Sequence, residues 1–267
     1  MQTRIITAIV ALLVFVPLVI IGHIPLLLLT IALGWVAMGE MLRMTKTLLV
    51  SFEAILSLTG VVALILPQHF WLWVSDNWPM TVASDTVVYA IAFLFLLRTV
   101  LSKKSFNIND AGVLFLSMVY IGTGFHYFYL ADQRGLAVLF FGMLTVWITD
   151  SFAYFCGKAF GKHKLAPNIS PNKTWEGSVG GSLIAIVVMS TIYGLTGWLH
   201  RPILEIILAV ALLSLGGQLG DLIESSFKRH FGVKDSGKIL PGHGGILDRF
   251  DSMLVVMPLL SILGFLR

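Results

Sequence analysis

The stretch from Ile5 to Ile21 (IITAIVALLVFVPLVII) holds no charged residue, and apolar runs of similar length recur to the end of the chain. A helix needs about 20 apolar residues to cross a hydrocarbon core. Walking the chain with that window gives nine candidate spans, near 5–22, 25–42, 48–66, 85–101, 111–130, 135–156, 177–199, 203–224 and 246–266. The fifth, rich in Gly and aromatics, and the eighth, carrying Glu205 and Asp221, have the weakest signal. The connection 67–84 contains three Trp and no Lys or Arg, and reads as an interfacial segment on an aromatic belt.

Composition closes off the alternatives. Of 267 residues, 57% are hydrophobic and 12% charged, against about 25% charged in an ordinary soluble domain. Disorder, a collagen-like fibre, a disulfide scaffold and a soluble nucleic-acid binder are excluded. The fold class is all-α: a polytopic integral membrane protein of about nine transmembrane helices. The first run, preceded by Arg4, is longer than a secretory h-region and ends in Gly22-His23-Ile24-Pro25 without a small-x-small cleavage pattern. It is therefore expected to be a retained span. The single Cys156 permits neither an internal disulfide nor a cysteine-rich zinc site.

Nine spans sort the 18 basic residues sharply. One side carries Arg4, Arg43, Lys46, Arg98, Lys103, Lys104, Lys158, Lys162, Lys164, Lys173, Lys228, Arg229, Lys234, Lys238 and Arg249, and the other only Arg134, Arg201 and Arg267. By the positive-inside rule the N-terminus is cytoplasmic and the C-terminus outside, as expected of a multi-pass protein of the cell (inner) membrane. The chain then divides into an N-terminal part, 1–130, with five spans and a C-terminal part, 131–267, with four. The second part carries two polar cytoplasmic loops, 157–176 and 225–245. Eighteen of the 32 charges lie between Asp150 and Asp251.

Two constellations concentrate that charge. In the first, Asp150 sits near the cytoplasmic end of span 6, where an intramembrane carboxylate usually faces a polar cavity and marks function. Thr174 and Glu176 suit the N-cap and first turn of span 7. Lys173 does not, because a cation is disfavoured at a helix start; together with free N–H groups it would make an anion site. In the second, Asp221, Ser225 and Lys228 fall at i, i+4 and i+7 on one helical face, with Glu224 beside them. The chain loops through Lys234-Asp235 and Pro241-Gly242-His243-Gly244-Gly245, and Asp248 and Asp251 then flank Arg249 on the opening turn of span 9. Asp221 and Asp248 enter from two spans at similar depth, so their carboxylates can converge on one hard cation. Magnesium prefers a few carboxylates with substrate phosphates and water. Glycines around His243 permit a backbone cradle for phosphate oxygens.

Other signals fail. The run from Gly232 to Lys238 approaches a Walker A loop, but Ile239 stands where Ser or Thr is required and no strand precedes it. Neither HExxH nor CxxC occurs. The spacings Gly157/Gly161, Gly177/Gly181 and Gly216/Gly220 allow close helix packing, within the chain or in a homodimer.

The stretch SFKRHFGVKDSGKILPGHGGILDRFDS (226–252), with Ser225 before it, resembles the signature of the phosphatidate cytidylyltransferases, also called CDP-diacylglycerol synthases. Every position of that pattern is met, from Ser225, Lys228 and Arg229 through Lys234, Asp235, Pro241, His243, Gly244 and Gly245 to Asp248, Arg249 and Asp251. The segment ISPNKTWEG (169–177) is also similar to a family segment, with Asn172 where many members have Lys. The strong resemblance covers roughly 150–252; the N-terminal spans match only in hydrophobicity.

The resemblance implies transfer of a cytidylyl group from CTP to phosphatidic acid, giving CDP-diacylglycerol and pyrophosphate. It also implies Mg²⁺, with or without a second, monovalent cation. Asp221 and Asp248 would then be metal ligands, with Asp251, Glu224 and Asp150 as supporting carboxylates. Lys228, Arg229, Lys234, Arg249 and His243 would hold phosphates, Lys173 would approach from the other loop, and Ser225 would line the site. CTP, phosphatidic acid and membrane lipids are the expected partners, and nucleic acid is not. Related CTP-dependent enzymes act on prenyl or ether-lipid phosphates, and the full signature argues against them. An ion-coupled transporter could also use midplane acids; it should show repeat symmetry, whereas the polar machinery here is confined to 150–252 with no counterpart earlier in the chain.

Overall fold

The computed structural model describes residues 2–79, 81–102 and 105–266, with side chains from residue 6 onward. Lys103, Lys104, Arg267 and the Arg4 side chain, which enter the charge asymmetry, lie outside the described residues. The chain is helical throughout apart from one short hairpin, and it forms two compact units. The first comprises 1–130 and 235–247, the second 131–234 and 248–267.

The first unit contains α1 (Gln2–Ile21), α2 (His23–Met44), α3 (Phe52–Ile65), α4 (Gln68–Asn77), α5 (Ser84–Leu101) and most of α6 (Ile108–Gln133). Ser51 caps α3, its Oγ accepting the Ala54 N–H at 3.2 Å. Pro67 disfavours helical geometry at the residue before it, and Leu66 is accordingly extended, with φ −58° and ψ 133°. The chain turns by 104° there into α4, none of whose residues is buried. This is the segment expected at the interface. Glu53 on α3 is neutralised by Arg98 on α5, at 2.5 Å.

The second unit contains α7 (Leu136–Phe160), the antiparallel pair β1 (Lys164–Ala166) and β2 (Ser170–Thr174), α8 (Trp175–Thr196), α9 (Ile203–His230), α10 (Leu247–Phe250) and α11 (Met253–Ile262). α7 and α8 approach through small residues: a Cβ on Gly181 would lie 2.7 Å from both Ala153 N and Thr149 O. α9 meets the start of α11 in the same way, with a Cβ on Gly220 falling 2.6 Å from Asp251 O. All three small-xxx-small spacings thus close contacts inside the chain. At the opposite end of α9, Arg201 binds Gly264 O at 2.7 Å and stacks over Phe265.

Each of the nine expected spans coincides with helix. Among the described residues six helices can cross a membrane by length and hydropathy, and α3 with α4 makes a seventh if the bent pair is one span. The part of α1 whose side chains are described, Ile6–Ile21, and Met253–Ile262 are shorter apolar stretches. The expected count of nine is not confirmed among the described residues: the last segment is broken into α10 and α11, and the third is bent. The expected loops are also shorter than 157–176 and 225–245, since α7 continues to Phe160 and α9 to His230. Large apolar side chains remain outside, among them Leu195 at 83% and Val187 at 65% exposure. Water would not tolerate such a surface and lipid does. This is an all-α, multi-pass membrane protein.

Replacing Gly181 by Leu should push α7 from α8 and destabilise the protein by about 1–3 kcal/mol, as overpacking does. Thermal unfolding in detergent reads this directly; an unchanged midpoint would refute the tight contact.

Candidate active site

The site is assembled at one end of α7, α8 and α9 together with the residues from Asp248 to Asp251, all within the second unit. The hairpin sets one wall. Its strands pair Lys164 with Thr174 and Ala166 with Ser170, and Trp175 N donates to His163 O at 3.0 Å. Thr174 caps α8, accepting the Gly177 N–H at 3.2 Å, as its position before an apolar run predicts. Glu176 has a further role. Its carboxylate accepts the N–H groups of Lys162 and His163 and meets His163 Nδ1 at 2.6 Å, which ties the hairpin back onto the helix.

Lys173 immediately precedes that cap, so the hairpin aims it across to α9. Its Nζ reaches Asp221 Oδ2 at 2.6 Å and the Gln218 carbonyl at 3.4 Å. The cation at a helix start is thus explained by a carboxylate on a neighbouring helix. Ser225 donates to the other oxygen of Asp221 at 3.2 Å, one helical turn away.

One turn further along α9, Lys228 is shared between two carboxylates. It pairs with Glu224 on its own helix and with Asp248 Oδ1 at 2.7 Å. The Glu224 side chain is fully buried, and that of Lys228 is 12% exposed. Asp251 turns one oxygen onto the Ser252 N–H at 2.7 Å. Its charge and that of Asp150 interact with Asp221, while Glu224 senses both Asp248 and Asp251. Five carboxylates therefore share one region with two ion-paired lysines, and negative charge is in excess.

The structure brings together Asp150, Lys173, Asp221, Glu224, Ser225, Lys228, Asp248 and Asp251. Arg229, Lys234 and Arg249 are exposed. Arg229 binds two backbone carbonyls, Ile169 O at 3.2 Å and Val233 O at 3.1 Å, and so fastens the hairpin turn to the end of α9. His243 belongs to the first unit, in a turn closed by Leu240 N to Gly244 O at 3.1 Å and His243 N to Leu240 O at 2.8 Å. Gly242 and Gly244 adopt φ of 78° and 85° there, a conformation open to glycine and strained for other residues.

Sequence reading expected Asp221 and Asp248 to face a common cation. Each is paired with a lysine, and among the described residues no three Asp, Glu, His or Cys side chains are arranged as a ready metal cage. The donor set still suits a hard divalent ion, because Mg²⁺ takes one or two carboxylates and completes its shell with water and phosphate. The sequence also left unread a buried polar chain under the site. Thr149 donates to Ser214 at 3.0 Å, Ser214 meets Ser182 at 2.8 Å, and Gln218 donates to Ser182 at 3.0 Å. Only the i, i+4 spacing of Ser214 and Gln218 on an otherwise apolar helix signals it.

Helices suited to a bilayer, with carboxylates and lysines clustered at the end of one helical unit, define a membrane protein with a charged site at one end of its helices. Comparison with known proteins gives the particular family. The model of the cytidylyltransferase family matches residues 2–266. Proteins named phosphatidate cytidylyltransferase from Staphylococcus haemolyticus and Staphylococcus epidermidis are each 46% identical to this chain, and one from Staphylococcus aureus is 45% identical. In all three the match covers 98% of both chains. The chain belongs to the cytidylyltransferase family and is an enzyme of the nucleotidyltransferase class.

Replacing Lys228 by Met leaves Glu224 as an uncompensated buried charge, and should destabilise the protein by about 3–5 kcal/mol. Adding Glu224→Gln should recover most of the loss. A thermal-unfolding double-mutant cycle measures the coupling, and strictly additive effects would refute the pairing.

Proposed function

We propose that the chain transfers the cytidylyl group of CTP to phosphatidic acid, forming CDP-diacylglycerol and pyrophosphate at the cytoplasmic face of the cell membrane. The observation that carries this reading is the direct linkage Lys173–Asp221 and Glu224–Lys228–Asp248, which joins phosphate-binding cations to hard-metal ligands in one cluster. The names of the staphylococcal relatives supply the substrates.

A phosphate monoester has its second pKa near about 6, so phosphatidate is already largely dianionic at neutral pH and needs no general base. Its attack on the α-phosphorus is limited by charge repulsion and alignment, which positioning and electrostatics solve. Mg²⁺ is the expected cofactor; Asp221 and Asp248 would hold it, and it would neutralise triphosphate charge there. Ser225 fixes the Asp221 carboxylate through its hydroxyl. Lys173 and Lys228 stand ready to exchange a carboxylate for a phosphate, Arg229, Lys234 and Arg249 extend the basic surface that captures the anions, and His243 is a further phosphate ligand that the family resemblance implies. The scarcity of basic residues on the opposite side supports the cytoplasmic placement.

Purified protein incubated with labelled CTP and a panel of phosphatidate and prenyl phosphates tests the reading. Product is expected from phosphatidate, and only with Mg²⁺; its absence would overturn the proposal. Asp221→Asn and Asp248→Asn should each lower turnover by about 10²–10³-fold, the usual loss of a transition-state electrostatic partner, while the protein still inserts. Near-normal Mg²⁺-dependent activity in either would sink its ligand role. For orientation, in a chain carrying Cys156→Ala, Lys238→Cys should react with an impermeant thiol reagent only after the membrane is opened. His200→Cys should react in intact cells; the reverse pattern would invert the topology.

A further inference from the structure

Glu40 is the one acidic residue of α2, and it is 1% exposed. A buried carboxylate is strongly disfavoured unless donors surround it, and here they come from a segment roughly two hundred residues later. Ile246 N and Leu247 N each donate to it at 2.9 Å, and Ser236 Oγ donates at 3.1 Å. Gly237 and Gly245 press on the same carboxylate, and a Cβ on Gly245 would run into both of its oxygens. One side chain of α2 therefore clamps both ends of the turn that contains Pro241, Gly242, His243 and Gly244. The two backbone donors are also orphan N–H groups at the start of α10, and the next residue of that helix is Asp248.

We infer that Glu40 is a positioning residue for cytidylyl transfer: it fixes the turn 236–247 and so presents His243. This rests on the function proposed above. The carboxylate suits the task because it offers two oxygens, each with acceptor capacity for more than one donor. A glutamine in its place would turn an NH₂ group toward N–H donors, and an alanine would leave the donors without a partner. An acid placed in an otherwise apolar span is a functional residue by default, and the clamp gives that default a specific content.

The test uses the full-length protein in detergent, with turnover and amide hydrogen exchange measured on each variant. Glu40→Gln should lower kcat at least tenfold and speed exchange within 236–247 alone, with the unfolding midpoint kept. Glu40→Asp, which retains the charge, should recover part of the turnover. If the Glu40 variants fail to fold, Ser236→Ala removes one donor and should lower kcat at least twofold with the same local exchange signature. Wild-type kcat in Glu40→Gln, or in Ser236→Ala where the former does not fold, overturns the inference. So does faster exchange spread evenly through α2, α3 and α5. An inactive wild-type chain overturns the proposed function and this inference with it; an active one with unaffected variants overturns the inference alone.

Discussion

Lys228 is held between Glu224 and Asp248, and much of the second unit is arranged so that this ion triad can exist in apolar surroundings. A buried carboxylate or ammonium is tolerated only with a partner at close range. That requirement fixes where α9 stops being lipid-like, because Glu224 and Lys228 lie one turn apart on the same helix. It also fixes where the chain must return after its long excursion through 231–247. Asp248 reaches Lys228 because Gly220, two turns earlier on α9, lets the backbone at Asp251 and Ser252 come into contact. A side chain at Gly220 would hold the two elements apart.

The Lys173–Asp221 pair depends on a different device. A helix start is a poor place for a cation, and Lys173 is delivered instead by a β-strand whose hairpin is stapled at three points. Glu176 holds the His163 end, Thr174 caps the helix, and Arg229 grips the turn at Ile169. The glycine contacts of α7 with α8 bring Asp150 to the same region. Packing by the smallest residue and pairing among the most polar ones are thus two halves of one construction.

Much of this was legible in the chain. Apolar runs located every helix that matters, and Thr174 announced a cap. The charge-rich interval 150–252 pointed to the cluster, and the eight residues that converge were all among those singled out. Four things were not legible. Asp221 pairs with Lys173 and Asp248 with Lys228 across different elements, and spacing along one helix cannot show which helix faces which. The hairpin strands are three and five residues long, too short for alternation to register. Glu40 is a lone acid in an N-terminal span, far in sequence from the signature it supports, so attention to the signature passes over it. The break between α10 and α11 was equally invisible, since Asp251 and Ser252 read as the continuation of a helix.

The paired state of the two lysines has a consequence for the order of events. Each carboxylate that could hold a cation, and each lysine that could hold a phosphate, is already satisfied by the other. A cation arriving alone would compete with an ammonium for its carboxylate, and an anion arriving alone would strip a lysine from an acid. When both arrive, the partners exchange and every charge is again matched. On the proposed function such a site would disfavour partial occupancy, and affinity for the metal and affinity for the nucleotide would become a single linked quantity.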